Sequence, residues 1–159
     1  MRILVASNNA HKIREFGDCL PGFALITPKE AGLDFDHDET ETSFHGNALA
    51  KALALTRLAL GRGVLAPDMA VLADDSGLCV RALDGAPGIY SARYGAVNGQ
   101  NLESHERNAL LLKAMAGKPD RTAWFVCALA LMFTPERFRV VQETWEGQIA
   151  PEASRAPGG

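Results

Sequence analysis

A chain of 159 residues, 47% hydrophobic and 22% charged, is long enough to bury a core and has the make-up of one soluble globular domain. Its net charge of -3 excludes a global basic field for nucleic acid or an anionic membrane, so an anionic ligand must be drawn by local charge. The longest apolar runs, such as Trp124 to Phe133, are too short to span a bilayer, and Ser7-Asn8-Asn9 ends the first apolar run before it can form a signal peptide. Cys19, Cys79 and Cys127 are few, odd in number and set among apolar residues, which predicts reduced core thiols in a cytoplasmic protein. The four histidines have no ligand spacing with them.

Arg2 to Ala6 predicts a short buried strand. Ser7-Asn8-Asn9-Ala10-His11-Lys12 follows, with good helix caps and then a helical pattern that puts Ile13, Phe16 and Leu20 on one side. Strand, polar loop and helix start present backbone N–H groups at a positive dipole end, an arrangement that binds phosphate. Lys12 adds a point charge there; the plainer reading is a capped helix with a solvated lysine. Pro21-Gly22 ends the helix and Phe23 to Thr27 predicts a second strand. Asp34, Asp36, Asp38, Glu39 and Glu41 form an acidic loop, either a solvated charge run or a carboxylate source for a site. Ser43 is placed to cap a helix whose core stripe is Phe44, Ala48, Ala52, Leu55 and Ala59. Asn47 and Lys51, four apart, share another face, within reach of one ligand, and Gly61 and Gly63 close the helix.

The stretch around which the chain is organised is Val71-Leu72-Ala73-Asp74-Asp75-Ser76-Gly77-Leu78. A buried strand over Ala70 to Ala73 that runs into two carboxylates predicts an acidic pair at the rim of a sheet, where α/β proteins bind ligands. The two carboxylates repel unless solvent, a proton or a cation offsets the clash. Leu78 to Leu83 continues extended, and Asp84 to Gly88 turns. Ile89 to Gly95 sets Arg93 between Tyr90 and Tyr94, either a loop packing its aromatics or the lining of a pocket mouth. Asn101 to Ala116 predicts an amphipathic helix with Leu102, Ala109, Leu112 and Met115 inward. Thr122 to Phe133 and Phe138 to Trp145 read as a hairpin turned by Thr134-Pro135-Glu136. From Glu146 to Gly159 the chain is rich in Pro, Gly and Ala, with no core pattern.

Three blocks give the chain a family likeness. Ser7 to Glu15 resembles an [ST]-x-N-x-x-K-x-x-E opening. Glu39 to Ala48, with Lys51-Ala52, resembles E-T-G-x-[ST]-F-x-E-N-A-x-x-K-A. Ala73 to Leu78 and Gly85 to Tyr94 resemble A-D-D-S-G-L and G-x-P-G-x-Y-S-A-R-Y. In this order they are similar to the Ham1/inosine triphosphate pyrophosphatase family. The chain departs from the pattern at Glu41, where glycine is usual, and at Gly46, where glutamate is usual. After Gly147-Gln148-Ile149 the family continues into G-F-G-Y-D-P and S-H-R blocks that hold the base and part of the phosphate chain; this sequence ends at Gly158-Gly159. The expectation is one pyrophosphatase domain over residues 1–159 that lacks the C-terminal part of its relatives.

The resemblance implies an α/β fold, an elongated, twisted mixed sheet flanked by helices of the ITPase/Maf-like kind, in a homodimer. It implies hydrolysis of non-canonical purine triphosphates (ITP, dITP, XTP) to the monophosphate and pyrophosphate, with Mg²⁺ as cofactor. By motif position Glu39 and Asp75 are the metal ligands and Asp75 the general base, with Asp74 beside them. Ser7, Asn8, Asn9, Ala10, His11, Lys12, Lys51 and Ser76 would bind the nucleotide. Two alternatives stand beside this: a nucleotide-binding form impaired in catalysis, and a Maf-type pyrophosphatase, against which the Pro87 to Tyr94 run argues. A phosphatase with an aspartyl nucleophile would want D-x-D, and Asp74-Asp75 are adjacent.

Overall fold

The computed structural model describes residues 1–153; the end of the tail, 154–159, lies outside the described residues. The chain divides into two compact units: Met1–Asp75 with Ala128–Gln142, and Ser76–Cys127 with the chain from Glu143 on. Five strands, β1 (Arg2–Val5), β2 (Ala24–Ile26), β3 (Met69–Val80), β4 (Thr122–Thr134) and β5 (Arg137–Gln148), form one sheet in the order β2-β1-β3-β4-β5. With α1 (Ala10–Cys19), α2 (Phe44–Gly61) and α3 (Ser104–Ala114), this is the expected α/β arrangement. The sheet is mixed. β1 runs parallel to both β2 and β3, whereas the two-residue turn at Pro135-Glu136 brings β5 back along β4.

In the first unit, β1 and α1 cover one another as their patterns require. Ile3, Val5 and Leu72 are buried, and Ile13, Phe16 and Leu20 of α1 pack against them. Every residue of β3 from Met69 to Asp75 is buried, as expected of a central strand covered on both faces. The predicted stripe of α2 is also buried, with Ala48, Ala52, Leu55 and Ala59 fully so; three of the four are alanines, which lets the helix lie close to its neighbours. α2 starts where Ser43 accepts a hydrogen bond from the Gly46 N–H and ends at Arg62, followed by Gly63 at φ +64°.

The second unit has its own core of Val80, Leu111, Met115 and Ala123, with Leu78, Tyr94 and Ile149 packed around it. Here the helix phase differs from the prediction: Leu111 and Met115 of the α3 region are buried, Leu102 and Leu112 are half-buried, and Ala109 is exposed. The larger side chains one turn apart take the inward face, so the alanine is displaced outward. Sequence reading also stopped the last strand too early. β5 runs to Gln148, and beyond it Ile149 is tied back: its N–H donates to the Arg121 carbonyl at 2.9 Å, and the Arg121 guanidinium donates to the Ile149 and Ala150 carbonyls. Of the cysteines predicted to be in the core, Cys79 is buried and Cys127 half-buried, but Cys19, at the end of α1, is exposed.

Candidate functional site

The strand that carries the acidic pair does not end there. β3 continues through Asp74 and Asp75 to Val80, so the predicted rim is made differently. Its neighbour β1 stops: Val5 pairs with Leu72, and the Ala6 N–H donates to the Leu72 carbonyl at 2.7 Å as the last link. The pair therefore stands just past the carboxyl end of β1 and is buried within β3. Alternation along the strand also turns the two side chains to opposite faces. Asp74 follows Leu72 toward α1, and its Oδ2 accepts from the Lys12 ammonium at 2.7 Å. Asp75 faces the other way, and its Oδ2 accepts from the Asn47 amide of α2 at 2.9 Å. The repulsion expected of neighbouring carboxylates is thus relieved by the pleat and by two different donors.

The loop between β1 and α1 is held by its own polar groups. Asn9 is the cap, and its Oδ1 accepts from the His11 N–H at 2.9 Å. Ser7 Oγ accepts from the Asn9 N–H at 3.1 Å. Lys12 is anchored on Asp74 and only partly exposed, so it is no free surface lysine. Ala10 and His11 open the helix with their side chains outward.

α2 supplies the opposite wall. One turn after Asn47, the Lys51 ammonium donates to Glu39 Oε1 at 2.6 Å and to the Asp74 main-chain carbonyl at 2.9 Å. Lys51 is buried although charged, because a carboxylate and a carbonyl surround its ammonium.

A cavity of about 300 Å³, the size at which small-ligand sites begin, opens between these elements. Ser7, Asn8 and Asn9 line it on one side and Glu39 and Lys51 on the other. Lys12, Asp74 and Asp75 stand outside its lining. Sequence reasoning missed Phe35 and His37, which also line it, their rings parallel within 1° and 6.4 Å apart. The signal was a period of two. Phe35, His37 and Glu39 are half-buried, while Asp34, Asp36 and Asp38 between them are exposed, as in any extended segment with one covered face. The acidic loop is therefore both things proposed for it: Asp34 and Asp38 are solvated, while Glu39, with the exposed Asp36, stands at the cavity.

Other residues singled out from the sequence fall elsewhere. Ser76, half-buried on β3, belongs to the second unit. In the tyrosine-rich run, Ser91 Oγ accepts from the Leu78 N–H at 2.8 Å and donates to the Gly88 carbonyl, and Tyr94 packs on the second core. The Arg93 guanidinium lies over the exposed Tyr90 ring. Of the two tyrosines, Tyr94 is packed and Tyr90 stays at the surface. Among the described residues no three His, Cys, Asp or Glu side chains gather as a metal cage. Glu39 and Asp75 nevertheless offer hard carboxylate oxygens, and a hard divalent cation bound chiefly by water and phosphate needs only one or two of these. Glu39 already holds a cation, the Lys51 ammonium, at the cavity wall. No helix among the described residues is long and apolar enough to cross a membrane.

Comparison with known proteins places the chain in a lineage. The dITP/XTP pyrophosphatase of Treponema denticola is 43% identical over 159 residues, all of this chain and 77% of that protein. The dITP/XTP pyrophosphatase of Treponema pallidum is 43% identical over 158 residues, 99% of this chain but 55% of that protein. Among solved structures, the Ham1 protein of Staphylococcus aureus superposes with a TM-score of 0.82 at 36% identity, covering 100% of this chain and 77% of its own. The Ham1 family model matches residues 3–159, and the chain belongs to the Ham1 family.

Proposed function

We propose that this protein hydrolyses non-canonical purine nucleoside triphosphates, with dITP and XTP foremost and ITP alongside, to the monophosphate and pyrophosphate. The observation that carries the reading is the cavity: the loop after β1 and the Lys51–Glu39 ion pair face each other across it, in a chain 43% identical to a dITP/XTP pyrophosphatase. Residues 1–159 are read as one pyrophosphatase domain that serves nucleotide-pool sanitisation in the cytoplasm. The expected homodimer has support in β5, a sheet edge on which Val141 and Trp145 are exposed.

The roles proposed for the residues follow their places in the family motifs. The Ser7–Lys12 loop, with Ala10 and His11 opening α1, gives main-chain N–H groups and a positive helix end to the phosphates. Lys12 and Lys51 leave their carboxylate partners in part to share the phosphate charge. Asp75 takes the proton of the attacking water. A bond from that oxygen to the α-phosphorus forms as the α–β bridging bond breaks, and pyrophosphate departs. Glu39 and Asp75 would hold Mg²⁺, which neutralises phosphate charge and polarises the phosphorus under attack. Asp75→Asn keeps the size and loses the base. Turnover is expected to fall by more than about a hundredfold with nucleotide binding retained; wild-type turnover in this variant removes Asp75 from the chemistry.

A further inference from the structure

The proposed base sits on a strand, and something must aim it. Asn47 has no exposed surface, and both ends of its amide are used. Its Nδ2 donates to Asp75 Oδ2 at 2.9 Å, and its Oδ1 accepts from the Glu41 main-chain N–H at 2.9 Å. The two contacts fix the amide's sense: turned over, it would set an N–H against an N–H and an oxygen against a carboxylate. One turn further along α2, Lys51 holds the main-chain carbonyl of Asp74. A single helix edge thus grips the strand at two successive residues.

The approach of the Glu41 N–H depends on how tightly the chain folds over the start of α2. A Cβ on Gly46 would stand 2.8 Å from Ser43 Oγ, a clash, and 3.1 Å from Glu41 Cβ, a tight contact. Ser43 Oγ is itself occupied in capping the helix at the Gly46 N–H. A side chain at 46 would therefore press on Ser43 and on the Glu41 side chain, next to the N–H that reaches Asn47.

We infer that Asn47 is the positioning residue of Asp75, clamped in turn by the Glu41–Gly46 turn, so that the start of α2 sets the aim of the base. This rests on Asp75 being the base. It predicts a loss in kcat without a loss in nucleotide affinity, because Asn47 lies outside the cavity lining.

The test pairs two variants with KM, kcat and Tm read for each. Asn47→Asp keeps the acceptor for Glu41 and sets a carboxylate against Asp75. With dITP and Mg²⁺, kcat is expected to fall about tenfold to a hundredfold, the cost of a misaimed group, with KM within about threefold. Adding Asp75→Asn to Asn47→Asp rebuilds the hydrogen bond with its polarity reversed, so most of the lost Tm returns while turnover stays absent. An unchanged kcat in Asn47→Asp, or a KM that rises in step with the loss, overturns the inference. So does a double variant that melts no higher than Asn47→Asp alone. Normal turnover in Asp75→Asn alone would instead defeat the proposed function, and the melting data would still report on the contact.

Discussion

Lys51→Met isolates a buried charge of the first unit that is held by two partners. The substitution keeps the length of the stem and removes the ammonium that binds Glu39 Oε1 at 2.6 Å and the Asp74 carbonyl at 2.9 Å. Breaking a fully buried ion pair by deleting one partner costs about 3–5 kcal/mol, because the other charge is stranded. The Glu39 side chain keeps 18% of its surface, so water recovers part of that cost. A loss of about 2–3 kcal/mol remains, in the range of a hydrogen bond to a charged group. For a chain of this length that lowers Tm by about 4–12 °C. The same ammonium lines the cavity, so the KM for a triphosphate rises about tenfold or more. Calorimetry of Lys51→Met, Glu39→Gln and the double variant measures the first effect, and steady-state pyrophosphate release the second. The double variant should recover part of the loss, with a coupling of about 0.5–3 kcal/mol. A Tm within about 2 °C of wild type together with strictly additive losses would refute the reasoning, since it would mean that the pair is solvated and replaceable.

Two further outcomes follow from the same geometry. Lys12→Ala removes the cation on Asp74 and the point charge beside the α1 start, and should raise KM for triphosphate several-fold while the products stay the same; an unchanged KM shows that this loop does not hold phosphate. In thiol labelling at neutral pH, Cys19 should react first, being exposed, whereas Cys79 should stay unmodified until the protein unfolds, because burial pushes its thiol up and disfavours the thiolate. Mass mapping that finds Cys79 labelled as fast as Cys19 would contradict the second core as described.

The parts legible in the sequence are those where one local rule acts alone. The α2 stripe from Phe44 to Ala59 follows a single helical period, and the burial of each residue agrees with it. The motif residues around Ser7, Glu39 and Lys51 do meet at one cavity, because strand, loop and helix punctuate the chain where caps and glycines demand. The misreadings come from competition between rules. Charge dominated the reading of Asp34 to Glu41 and hid the period of two that turns Phe35, His37 and Glu39 inward. Adjacency dominated the reading of Asp74-Asp75, although a strand separates neighbours to opposite faces. Asn47, read from its spacing as a ligand-binding partner of Lys51, is instead enclosed between Glu41 and Asp75, a long-range contact that no window of sequence contains. In α3 the choice of Leu111 over Ala109 was set by the space to be filled in the second core.

The most direct measurement is the identity of the products. Purified chain incubated with dITP and Mg²⁺, with the mixture followed by phosphorus NMR, should yield dIMP and pyrophosphate in equal amounts. Release of inorganic phosphate with the diphosphate, or binding of dITP with no cleavage at all, would contradict the account.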